Sequence, residues 1–123
     1  MCSLEGKLQG YHTRLKELHF SASSYDLHKL TDEFDEALLE FDDKLMENLQ
    51  PLPDLGFIKV GEIHPELPDD VEFENLLVSI RGLLADFKRQ TEEVMFSGAN
   101  SIVDEFFATV NKYIYLVKIV KQN

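Results

Sequence analysis

Apolar residues recur at steps of three and four along most of this chain, the spacing of amphipathic helices. Leu4, Leu8, Tyr11, Leu15 and Leu18 predict a first helix over about 3–19, whose start Gly6 and Gly10 weaken. Leu27, Leu30, Phe34, Leu38, Phe41, Leu45 and Leu49 predict a second over 25–49. Phe73, Leu76, Leu77, Ile80, Leu83, Leu84, Phe87 and Val94 predict a third over about 71–96. Ile102, Val103, Phe106, Val110, Tyr113, Ile114, Val117 and Val120 predict a fourth over about 101–120.

The breaks between these segments differ in length. Residues 20–24 are short and rich in small side chains, and Ser23 with Asp26 resembles a capping box. The stretch SGAN, 97–100, predicts the other short break. Pro51 and Pro53 end the second helix, and the link that follows, 50–70, holds Gly56, Gly61, Pro65 and Pro68. Its apolar patch of Phe57, Ile58 and Val60 reads as a docked extended piece or a small helix, and Asp69 or Asp70 as the cap of the third helix. Such a link is too long for a simple hairpin but long enough to cross a bundle. The expected fold is all-α: one ferritin-like four-helix domain over 1–123, with a long crossover between helices two and three.

Composition narrows the setting. The chain has 123 residues, 44% of them hydrophobic, and no run apolar enough to span a membrane. Glu5, Lys7, Arg14, Lys16 and Glu17 interrupt the N-terminal region, so no signal-peptide core is expected there. Cys2 is the only cysteine, which excludes a disulfide framework and a cysteine zinc site. A cytoplasmic setting fits. The formal net charge of −11 disfavours nucleic acid and acidic membranes as partners and attracts cations, although solubility alone also accounts for it.

The second helix carries the candidate chemistry. His28 with Asp32, and Asp43 with Glu47, form two i, i+4 pairs on the side away from the leucine stripe. A solvated acidic face is the plain reading of such residues. However, Leu39 and Met46 lie among them, so this face is expected to be partly apolar and to meet something other than water. The two pairs are about 22 Å apart along one helix, too far for one metal centre. They are also symmetric about the point between Ala37 and Leu38. An antiparallel second copy would bring His28 opposite Glu47 and Asp32 opposite Asp43, giving two equivalent sites with ligands from both chains.

The stretch LHFSASSYDLHKLTDEFDEALLEFDDKLMENL resembles the signature of the Dps-type mini-ferritins. The resemblance implies that His19, His28 and Asp32 of one subunit, with Asp43 and Glu47 of its neighbour, form an intersubunit iron site, with no catalytic residue beyond these ligands. It implies a ferroxidase and iron-storage function, with peroxide or dioxygen as oxidant and a di-iron centre. Zinc or manganese are substitutes that the same donors accept. It further implies a two-fold dimer, extended to a dodecameric shell where the family's other contacts are kept. Phe20 departs from the family's usual Trp, the loop between His19 and His28 is shorter, and no basic N-terminal tail is present to bind DNA. The classical ferritin alternative needs Glu-x-x-His on core helices, and no Glu here has a His three residues later.

His12 reads as a surface residue and His64 as a loop histidine, with Glu62 and Glu66 as its nearest acidic neighbours. The competing function is a non-enzymatic ferritin-like assembly protein with a degenerate or structural metal site.

Overall fold

The structure is a computed structural model that describes residues 1–122. Four α-helices follow in order: α1, Cys2–Phe20; α2, Tyr25–Leu49; α3, Phe73–Gln90; and α4, Ser97–Lys121, preceded by a 3₁₀ turn, Val94–Phe96. No strand occurs among the described residues. Extensive contacts join α1 to α2, α2 to α4 and α3 to α4, and a lighter one joins α1 to α3. The helices thus form a four-helix bundle around one core.

Phe34 of α2 lies at the centre. Its ring centroid is 5.7 Å from Phe106, 5.3 Å from Tyr113 and 6.2 Å from Phe73, so one side chain ties α2 to both α3 and α4. Phe41 stacks on Phe106 at 4.1 Å. Leu8 and Leu15 bring α1 into the same core, which Leu76, Leu77 and Ile80 extend along α3. Each fully buried side chain of this kind is worth about 1.5–3 kcal/mol.

The caps depart from expectation by a residue or more. Ser24, not Ser23, is the N-cap of α2; its backbone is extended and its hydroxyl accepts from the Leu27 N–H at 3.2 Å. Glu72, not Asp69 or Asp70, precedes α3 and makes no side-chain cap. Helix α3 stops at Gln90 rather than continuing to residue 96. Thr91 Oγ1 donates to the Phe87 carbonyl at 2.6 Å, and Asn100 Nδ2 donates to the Thr91 carbonyl at 2.6 Å, which closes the turn between α3 and α4. Val94, counted in the α3 stripe, is therefore exposed. SGAN is the first turn of α4, not a break. A Cβ on Gly98 would lie 2.8 Å from Asn48 Oδ1, so that glycine permits close approach to the end of α2.

The link over 50–72 forms no helix. Leu52, Leu55 and Ile58 pack against the core, whereas Phe57 and Val60 are exposed. Its later part docks on α1 through backbone. The Glu66 N–H donates to the Gly6 carbonyl at 2.9 Å, and Arg14 Nε donates to the Pro68 carbonyl at 2.8 Å. Gly6 and Gly10 are the seat for this docking. A Cβ on Gly6 would sit 2.4 Å from the His64 carbonyl oxygen, and one on Gly10 only 1.7 Å from that of Glu66.

Candidate functional site

Polar pairs cross between α1 and α2 at seven-residue steps: His19 with His28, His12 with Asp35, and Glu5 with Asp42. Seven residues advance about 10.5 Å along a helix, nearly two full turns, so the three pairs lie on one seam of the hairpin.

The histidine pair closes the hairpin end. The rings stack at 3.8 Å between centroids, 22° from parallel. His19 Nδ1 donates to the His28 carbonyl at 2.7 Å, and His28 Nδ1 donates to the His19 carbonyl at 2.9 Å. The His19 carbonyl belongs to the last turn of α1, where carbonyls have no partner within the helix, so the His28 ring acts as a cap. Thr31 supports the arrangement: its hydroxyl donates to the carbonyls of Leu27 and His28, and its oxygen lies 3.3 Å from His19 Nδ1.

This geometry fixes the tautomers. With Nδ1–H engaged by a carbonyl on each ring, the lone pair of each neutral imidazole is on Nε2. That is the state of a histidine ready to ligate a metal, with its other nitrogen oriented by a backbone acceptor. The donor set therefore suits iron, zinc or manganese. His28 is exposed and His19 half-buried.

Asp32 follows His28 by one turn and is exposed, as are Asp43 and Glu47. The single chain brings His19 to His28 but does not gather all five candidates. Among the described residues, no three His, Cys, Asp or Glu side chains converge to hold a metal ion.

The outward face of α2 is less apolar than expected. Leu39 is 44% exposed, but Met46 is only 7% exposed and belongs to the core. Helix α2 packs against both α1 and α4, so its buried arc is wider than one leucine stripe and takes in Met46, Thr31 and Asp35. At the hairpin end, Phe20 and Tyr25 stand exposed beside the histidines, Phe20 with its ring 5.5 Å from that of His19.

The two lower pairs escaped the sequence reading. His12 is no free surface residue: its Nδ1 donates to Asp35 Oδ1 at 2.6 Å, and Lys16 Nζ lies 4.0 Å from the other oxygen of this buried aspartate. Glu5 is buried, and burial first, then the Glu5 carboxyl, pushes the Asp42 carboxyl up to about 8. The signal was present in the chain. Polar residues at 5, 12 and 19 mirror those at 28, 35 and 42 across the hairpin loop.

No protein-family model matches the chain, and neither a curated protein nor a solved structure matches it. No helix among the described residues is long and apolar enough to cross a membrane.

Proposed function

We propose that this chain is the subunit of a Dps-type mini-ferritin, an oligomeric ferroxidase that oxidises and stores iron at sites shared between two-fold related chains. The observation that carries the reading is the His19–His28 pair, in which each Nδ1 is engaged and each Nε2 left as a lone-pair donor. Asp32 would add a carboxylate from the same chain, with Asp43 and Glu47 supplied by the neighbour.

Ferrous iron is the substrate in this reading. Two ferrous ions each give one electron to a molecule of hydrogen peroxide, which takes up two protons and leaves as two waters. The carboxylates contribute by stabilising the harder, more highly charged ferric product relative to the ferrous ion. The imidazoles hold position through their carbonyl bonds, so the Nε2 lone pairs need no ring reorientation to bind the ion.

Connectivity supports the same class. His64, Glu66 and Pro68 meet Gly6, Gly10 and Arg14 in that order, so the link advances along α1 from its start toward its end. Such a path favours a ferritin-like bundle with the long crossover between α2 and α3. Exposed Phe20, Tyr25 and Leu39 favour a two-fold partner on this side, in a dimer or a dodecameric shell. The charge of −11 argues against DNA as a partner.

The alternative is a non-enzymatic assembly protein; burial of Met46 removes part of the apolar surface expected at the interface and weighs equally on both readings.

A mixed dimer separates the two readings. His28→Ala/Asp32→Ala and Asp43→Ala/Glu47→Ala should each abolish rapid ferrous oxidation when expressed alone. A dimer of one chain of each has one site damaged in both halves and one intact site. It should recover about half the wild-type rate, because one of two equivalent sites survives. A folded mixed dimer without activity contradicts the shared site.

A further inference from the structure

The three polar pairs between α1 and α2 meet the demands of burial differently. The histidine pair is satisfied by backbone carbonyls. Buried Asp35 is satisfied by His12, with Lys16 at 4.0 Å. The third pair has no such solution. Glu5 Oε2 and Asp42 Oδ1 are both buried with no donor from any other side chain, so the two carboxyls can bond each other only by sharing a proton, and Glu5 as a whole is 7% exposed. Gln9 Nε2 donates to the other Glu5 oxygen at 3.2 Å. Among the described residues, no Lys, Arg or His forms an ion pair with either carboxylate.

Two carboxylates that converge without a donor need a positive species between them. Either a proton is held there, or a metal cation is. We propose that Glu5 and Asp42 form a second cation site, contained within one chain and taking a hard divalent ion such as Mn²⁺ or Mg²⁺. The donor chemistry selects this class. The pair offers only carboxylate oxygens, without the imidazole or thiolate that zinc prefers. Mg²⁺ is commonly held by one or two carboxylates and completes its shell with water, so a third protein ligand is not required. Glu5 lies on the buried side of the seam, while Asp42 is half-buried at its edge.

The site is distinct from the five candidate iron ligands and does not depend on the ferroxidase reading. Asp43 follows Asp42 directly but is exposed, whereas Asp42 interacts with Glu5 of α1.

The test uses Mn²⁺, whose free ion gives an electron paramagnetic resonance signal that weakens on binding. The metal-free chain carrying His28→Ala/Asp32→Ala/Asp43→Ala/Glu47→Ala is titrated with Mn²⁺ at mildly alkaline pH, alongside the same chain with Glu5→Gln added. The first should bind one Mn²⁺ per chain and the second none. Wild type against Glu5→Gln alone gives an independent reading, with the stoichiometry expected to fall by one per chain. Circular dichroism checks that helix content is kept. Equal Mn²⁺ binding with and without Glu5→Gln overturns the proposal. So does a folded parent chain that takes up none, in which case the species between the two carboxylates is a proton. Ferrous oxidation is read separately, so failure of one site does not imply failure of the other.

Discussion

At the scale of single residues, small changes of volume and charge decide outcomes that composition conceals. Gly10 and Gly82 are both helical glycines, but a Cβ on Gly10 would meet the Glu66 carbonyl oxygen at 1.7 Å, whereas one on Gly82 would meet nothing within 4 Å. Gly10→Ala should therefore displace the link and cost about 1–3 kcal/mol, as overpacking does. Gly82→Ala should stabilise by about 0.5–1 kcal/mol through lower backbone entropy in the unfolded chain. Urea denaturation of the two variants checks both signs. Asp42 brings a pH dependence. Its carboxyl is raised from 3.8 to about 8, so the folded chain retains a proton that the unfolded chain has lost. The associated stability is fully present below about 3.8 and is lost as pH rises through about 8. In metal-free buffer the urea midpoint of wild type should fall across that window relative to Asp42→Asn, which has no such proton to lose. Parallel midpoint curves for the two proteins would refute the assignment.

At the scale of elements, helix ends are set by side chains that reach across a turn. Ser24→Ala should cost about 1 kcal/mol because it leaves the Leu27 N–H without its acceptor. Ser23→Ala should have little effect, and thermal melts of the pair locate the cap. The end of α3 follows the same logic. An apolar stripe counted from sequence runs on to Val94, but the bonds joining Thr91, Phe87 and Asn100 turn the chain four residues earlier. The α1–α2 hairpin is stapled by ring nitrogens of His19 and His28 rather than by its loop residues alone. Loop length and composition do not report such bonds.

At the scale of the whole molecule, the exposed Phe20, Tyr25 and Leu39 are the basis for expecting association. Light scattering at micromolar concentration should give at least twice the 14.2 kDa of one chain. Phe20→Ser/Leu39→Ser should shift the population toward the single chain while helix content is unchanged. A wild-type protein that remains at 14.2 kDa would remove both the shared site and the assembly reading.

The periodicity of Leu, Phe and Val positions by itself determined the four helices, because burying one stripe per helix is a local, repetitive demand that each segment states in its own residues. It placed α2 at its observed bounds and identified the long link through its prolines and glycines. His28 was also legible as a candidate through its i, i+4 spacing to Asp32, whereas His19 was a candidate only through the family resemblance, and the structure stacks its ring on that of His28. Tertiary structure alone decided which polar residues are buried. Whether Asp35 or Asp42 faces water depends on how many neighbours α2 has, and it has two; Glu5 is buried on α1 by the same packing. It also decided that Gly6 and Gly10 are a docking seat rather than weak helix positions, because the carbonyls they accommodate come from residues more than fifty positions away. Periodicity records the direction a side chain takes from its own axis. What waits in that direction is fixed only when the other helices and the link have packed.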